Sequence, residues 1–199
     1  MMAERGLDLA HTTIMRWVHR YGPELEKRIK PHLKQTNGSW RVDETCIKAG
    51  KVWKYHYRAV DKYGQTLEFM FSFRRNKKAA IRFFRKMLAS THVATPYAIT
   101  VDKHPCYVNA YGRLTFSGEL SEDVQFRQSK YLNNIIEQDH RRIKWKALDS
   151  MGYQKFSTAK PTLSGIETLH MIRKKQLHLP DNSVKNQSLF IHHIMKKAA

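Results

Sequence analysis

Trp40-Arg41-Val42-Asp43-Glu44-Thr45-Cys46-Ile47-Lys48 decides how the rest of this chain is read. The run mixes β-branched and aromatic residues between Asn37-Gly38 and Ala49-Gly50, the signature of a strand. Side chains alternate along a strand, so Asp43, Thr45 and Ile47 share one face while Val42, Glu44 and Cys46 share the other. Asp43 and Glu44 are therefore not interchangeable. A second carboxylate, Asp102, closes the apolar run Tyr97-Ala98-Ile99-Thr100-Val101, and Pro105 shortly after it stops further ladder pairing. A third, Glu137, lies between Tyr131 and Trp145, where Leu132, Ile135, Ile136 and Ile143 recur at helical spacing. Lys144 follows seven residues later, about 20° short of two helical turns, and so shares the Glu137 face. Asn133, Asn134, His140 and Arg141 lie on that side as well. Three separated carboxylates of this kind can converge on divalent metal.

The elements between these landmarks have a definite order. Lys51 to Val60 alternates Trp53, Tyr55, Tyr57 and Ala59 against Lys54, His56 and Arg58. Asp61-Lys62-Tyr63-Gly64 then turns the chain into a strand from Gln65 to Phe73, with Asp61 read as a turn residue and not a ligand. Trp53, Tyr55 and Tyr57 are read as core and cross-strand packing ahead of base stacking. From Asn76 to Ser90, Ala80, Phe83, Phe84, Met87 and Leu88 make the apolar stripe of an amphipathic helix. After Asp102 come a short helix through Tyr107 and Tyr111, an edge strand at Asp123 to Gln128, and the Glu137 helix. The string is βββαβαβα. A closing amphipathic helix is expected from Leu163, Ile166, Leu169, Met171 and Ile172, ending at Arg173-Lys174-Lys175.

Charge narrows the partner. The 36 Lys and Arg against 17 Asp and Glu leave a net charge of +19, spread over every segment, which points to polyphosphate. No stretch approaches the about twenty apolar residues of a spanning helix, and Met1 to Gly6 lacks a signal-peptide pattern. No membrane role is expected, and the chain is placed in the cytoplasm. Cys46 and Cys106 form no paired motif and the 11 histidines no finger spacing, so structural zinc is not expected.

At 199 residues there is room for one ordinary core and a small appendage. Residues 1–30 are read as a partial helix-turn-helix and linker helix: His11-Thr12-Thr13 supplies candidate caps, Ile14, Trp17 and Val18 an apolar stripe, and Arg16 and Arg20 the groups beside it that would meet DNA. Only Met1 to Arg5 precede Gly6, so an upstream helix is expected to be missing and recognition of specific DNA ends to be weak. Residues 38–180, which carry Asp43, Asp102 and Glu137, are read as the main domain and 181–199 as a C-terminal tail.

The order of elements, with acids on the first strand, the fourth strand and the later helix, resembles the ribonuclease H-like fold, an α/β class with a mixed five-stranded sheet flanked by helices. The blocks Val42-Asp43-Glu44-Thr45, Tyr57-Arg58-Ala59-Val60-Asp61, Arg74-Arg75-Asn76-Lys77-Lys78-Ala79-Ala80, Val101-Asp102-Lys103, Lys130 through His140 and Gly165-Ile166-Glu167 are similar to those of bacterial insertion-sequence transposases of the Asp-Asp-Glu class, in the insertion sequence six family. The resemblance implies an integrase-type core with a catalytic, metal-binding triad of Asp43, Asp102 and Glu137, and Lys144 as the basic residue after the glutamate. It also implies a bacterial, nucleoid-associated protein with a basic face on which Lys144, Arg141 and His140 would contact double-stranded DNA at element ends and target. Two Mg2+ or Mn2+ ions would stabilise the entering and leaving oxygens of an in-line displacement. Replicative joining by a homodimer or larger synaptic assembly follows from the same resemblance. A truncated, non-catalytic DNA-binding remnant and a nuclease of the same fold stand as alternatives. Whichever holds, DNA affinity should fall steeply as salt displaces counterions; a flat response in filter binding between about 50 and 200 mM salt would argue against a backbone-dominated interface.

Overall fold

The computed structural model describes Gly6 and residues 9–129, 133–149 and 153–196. Expectations resting on Met1 to Arg5 and on Lys130, Tyr131 and Leu132 lie outside these residues. The elements are α1 (His11–Ile29), β1 (Ser39–Ala49), β2 (Val52–Asp61), β3 (Thr66–Ser72), α2 (Lys77–Leu88), β4 (Ala98–Val101), α3 (Pro105–Phe116), β5 (Gln125–Gln128), α4 (Asn134–Asp149), α5 (Phe156–Arg173) and α6 (Val184–Lys196). They fall into two compact units, residues 33–154 and residues 1–32 with 155–199.

The first unit is a five-stranded mixed sheet in the order β3-β2-β1-β4-β5. β1, β2 and β3 pair antiparallel, whereas β4 runs parallel to β1 and β5 parallel to β4. Asp61 is buried at the β2–β3 turn and accepts from the backbone N–H groups of Asn37, Tyr63 and Gln65. Gly64 takes φ +79° there, a conformation that a β-carbon disfavours.

One sheet face carries Trp40, Val42, Tyr57, Ala59, Ile99 and Val101, packed with Phe83, Phe84 and Met87 of α2 and Tyr107, Ala110 and Leu114 of α3. The start of α2 is set by Asn76, whose side chain accepts from the Ala79 N–H at 2.9 Å. α3 starts with Pro105, which has no N–H to leave unsatisfied, and the His104 ring accepts from the Cys106 N–H at 3.3 Å. α4 packs against β1 and β2, where His140 and Asp139 meet Asp43 and Arg58, so helices cover both faces. Trp53 departs from the packing expected of it and is 58% exposed. It pairs with Lys48 near the β1–β2 hairpin tip, beyond the first β2–β3 pair at Tyr55.

The second unit groups α1 with α5 and α6, a division that does not follow the boundaries at 38 and 180 read in the sequence. The physical reason is close helix packing. A β-carbon on Gly22 of α1 would lie 2.7 Å from the Pro161 carbonyl oxygen and 3.2 Å from the Gly165 nitrogen of α5. Ser164 donates to Glu26 at 2.5 Å, and Arg28 donates at 2.5 Å to the Ile194 carbonyl near the end of α6. A guanidinium there meets a carbonyl in the last turn of the helix, where a positive group is favoured. α1 is thus one long helix with C-terminal partners, capped at Ala10 without a side-chain bond and not by His11, Thr12 or Thr13. The stripe expected of α5 is only partly realised: Leu163, Met171 and Ile172 are buried and Leu169 is exposed. Its neighbours Glu167 and Thr168 are buried instead, because the helix is enclosed on more than one side.

Phe83 is fully buried between α2 and the sheet. Phe83→Ala should destabilise the protein by about 3–5 kcal/mol in urea unfolding, the usual cost of a truncated core aromatic; a loss below about 1 kcal/mol would show that the site collapses around the cavity.

Candidate metal centre and its surroundings

Asp43 and Asp102 meet because a parallel ladder stops. The last β1–β4 pair is Val42 with Val101, so each aspartate lies one residue past it, on neighbouring strands. Ligands of open α/β sheets gather in such a crevice, beyond the carboxyl ends of parallel strands. Among the described residues, Asp43, Glu44 and Asp102 each offer an oxygen, all within 4.8 Å of one another. Glu44 is the surprise. The alternation that sends it to the opposite face from Asp43 holds, yet past Val101 no paired β4 residue separates the two faces.

The three acids have different surroundings. The Asp43 side chain is 16% exposed, accepts from the Glu44 N–H at 2.9 Å, and has His140 Nε2 3.4 Å from its other oxygen. Asp102 is 31% exposed, accepts from the His104 N–H at 3.0 Å, and pairs with Arg75 at 2.8 Å. Glu44 is only 4% exposed and is held by Tyr107 Oη and by the same Arg75 amine. Burial pushes the Glu44 carboxyl up to about 7, outweighing the Tyr107 hydrogen bond and the Arg75 charge that pull it down. Two full charges 4.8 Å apart repel by roughly 3–4 kcal/mol at an effective dielectric of about 20, so this cluster needs cations. Arg75 supplies one. The donor set is all carboxylate oxygen, which suits Mg2+ or Mn2+ and not the nitrogen and sulfur preferences of zinc.

Helix α4 is fixed to the opposite face by buried charge. The Arg58 side chain is fully buried beside its register partner Asp43 and donates to Asp139 at 2.7 Å. His140 Nδ1 lies 3.5 Å from Arg58 Nη1, and burial holds the imidazole below its ordinary range, against the pull of Asp43. Glu137 lies in the first turn of α4 and is exposed, outside the cluster of three acids. Arg141 and Lys144 are exposed on α4, whereas His140, read as a DNA contact, is buried against Asp43. Arg16 and Arg20 are exposed on α1, with Arg20 stacked 5.4 Å from the Tyr21 ring centre. The structure therefore brings together two of the three expected acids and adds Glu44, Arg75 and Tyr107.

A family profile described as a DDE domain matches residues 37–176. The chain belongs to the insertion sequence six family of DDE transposases. It is 37% identical over 175 residues to the transposase for insertion sequence-like element IS431mec of Staphylococcus aureus, covering 88% of this chain and 75% of that protein. It is likewise 37% identical over 171 residues to the transposase for insertion sequence element IS257 in transposon Tn4003 of Staphylococcus aureus, covering 86% and 74%. The fold is that of integrase cores. The catalytic core domain of HTLV-2 integrase, in a structure described as a trimeric form in complex with magnesium, superposes with a TM-score of 0.52 at 14% identity, covering 79% of this chain and 98% of that one. The dimeric form gives 0.50 at 15% identity, covering 69% and 86%. The ribonuclease H-like, mixed five-stranded sheet expected for the family is the one observed. Among the described residues no helix is long and apolar enough to cross a membrane.

Glu44 gives this acidic cluster a pH signature. Its folded value of about 7 lies above its ordinary 4.5, so between these values the folded state keeps a proton that the unfolded state has lost. Its contribution to stability therefore falls as pH rises from about 4.5 to 7. Glu44→Gln should remove this part of the slope, measured as unfolding free energy at pH 5 and pH 8; an unchanged slope would show that Glu44 stays ionised throughout.

Proposed function

We propose that this chain cuts and joins DNA strands at the ends of an insertion sequence, with Asp43, Asp102 and Glu137 holding two Mg2+ or Mn2+ ions. The observation that carries this reading is the meeting of Asp43 and Asp102 at the open end of the β1–β4 ladder. Glu137 is the third carboxylate in this proposal because α4 is clamped beside Asp43 through His140 and Asp139, and Glu137 precedes His140 by less than one turn. Bound ions would supply Lewis-acid stabilisation to the entering and leaving oxygens of an in-line phosphodiester displacement.

The chain's own residues do the rest. Arg141 and Lys144 on α4 bind backbone phosphate, offsetting the repulsion between carboxylates and DNA. Arg16 and Arg20, exposed on α1, contact DNA in the role expected of the partial helix-turn-helix in residues 1–30, while residues 38–180 carry the chemistry. Water attacks the phosphorus at the element end, and the P–O3′ bond breaks to leave a 5′-phosphate and a free 3′-hydroxyl; that hydroxyl then attacks a target phosphodiester, whose own P–O3′ bond breaks to release a target 3′-hydroxyl, each leaving oxygen gaining the proton that the attacking oxygen gives up. Neither step needs a protein nucleophile. Joining into cointegrates by a dimer or larger synaptic assembly, acting on chromosomal and plasmid DNA in the bacterial cytoplasm, completes the proposal.

A supercoiled plasmid bearing element ends, incubated with and without Mg2+, tests it. Joined products that require Mg2+ and fall at least about 100-fold in Asp102→Asn support strand transfer. Nicking without joining would instead identify a nuclease, and retarded but uncut DNA a binding remnant.

A further inference from the structure

We propose that Arg75 is the resident counterion of the acidic centre, occupying Asp102 until a divalent cation displaces it, while Glu44 and Tyr107 anchor the arginine and are not metal ligands. This rests on the metal site proposed above.

The first support is position. One Arg75 amine bridges Glu44 and Asp102, so a guanidinium already stands among the three acids. Its backbone sits in the short link between β3 and the Asn76 cap of α2, where Ser72 Oγ donates to the Arg74 carbonyl at 3.0 Å. The side chain therefore reaches the acids from a secured base. The second support is access. Asp43 and Asp102 retain 16% and 31% exposure, whereas Glu44 retains 4% and its oxygens are already engaged by Tyr107 and Arg75. A partly hydrated ion can reach the two aspartates; reaching Glu44 would require stripping it of both partners.

The third support is that the grip on Asp102 is incomplete. Arginine binds a carboxylate best through two parallel N–H bonds. Here a single amine serves both acids, and Arg75 Nε is buried without a hydrogen-bond partner among the described residues. A bridge of this kind neutralises the cluster yet leaves Asp102 replaceable by a stronger cation. Arg75 then remains tied to Glu44, a fixed positive group beside the metal. In consequence the cation and the guanidinium compete, and removal of one should favour the other.

Mn2+ binding to the full chain without DNA, followed by the electron paramagnetic resonance of free Mn2+, reads this directly. Arg75→Gln should tighten Asp102-dependent Mn2+ binding by about tenfold, as expected for loss of one competing charge. The double variant Arg75→Gln with Glu44→Gln should keep that tightening, and Asp102→Asn should abolish binding. Unchanged or weaker binding in Arg75→Gln overturns the proposal, as does loss of the tightening in the double variant, which would make Glu44 a ligand. Should Arg75→Gln not fold, the wild-type chain still decides: Mg2+ should saturably shift the Arg75 guanidinium NMR signal, assigned through Arg75→Lys, and no shift overturns the proposal. If Asp102→Asn binds Mn2+ as the wild type does, the metal site itself is wrong and this inference falls with it; Asp102-dependent binding that Arg75→Gln does not tighten sinks the Arg75 role alone.

Discussion

Like charges crowded at the end of a parallel ladder are the constraint around which this molecule is arranged. Asp43, Glu44 and Asp102 cannot share a space of 4.8 Å as bare anions, so each is answered by something brought from elsewhere in the chain. Arg75 reaches in ahead of α2, Tyr107 from α3, and His140 from α4, while backbone N–H groups of Glu44 and His104 serve the two aspartates. The acidic centre is thus supported from both faces of the sheet. It is also why the core on the α2 and α3 side matters for chemistry: Phe83, Phe84 and Tyr107 hold in place the elements from which the counterion and the hydroxyl project.

Buried charge plays a different part on the α4 side. Arg58 and Asp139 give up hydration to form their pair, and such pairs contribute more to defining a unique arrangement than to net stability. Here the arrangement defined is the register of α4 on β1 and β2. A slip of four residues towards the C-terminus would put Ile143 in the place of Asp139 and leave Arg58 without its carboxylate. The position of Glu137 relative to the aspartates is inherited from that clamp, which makes Arg58 a residue of functional interest although it faces no solvent.

In the helical unit, segments far apart in sequence complete each other. α1 has a polar, basic exposed side with Arg16 and Arg20, and its contact side accepts α5 at Gly22 and α6 through Arg28. An N-terminal helix that looks isolated in sequence therefore has partners more than a hundred residues away. Both α1 and α5 also tolerate an internal proline, Pro23 and Pro161, each of which removes one backbone bond from its helix; packing against a neighbour compensates.

What the sequence settled by itself is local. Alternation around Asp43, the stripe from Ala80 to Met87, the Asp61 turn and the apolar run into Asp102 each declare an element within a dozen residues, and their order resembles the ribonuclease H-like fold, whose mixed sheet is observed. The meeting of Asp43 with Asp102 was an expectation of that resemblance, and β1 and β4, which carry or precede them, do lie side by side. Only the tertiary structure decided who answers the acids. Arg58 and Arg75 look like ordinary surface cations in a chain of 36 Lys and Arg, and their single hint was sitting in a buried strand and just before a helix cap. Tyr107, Asp139 and the Gly22 crossing with α5 were equally silent. Such contacts join residues tens to more than a hundred positions apart, and nothing in local periodicity encodes which of many similar side chains will arrive at a given carboxylate.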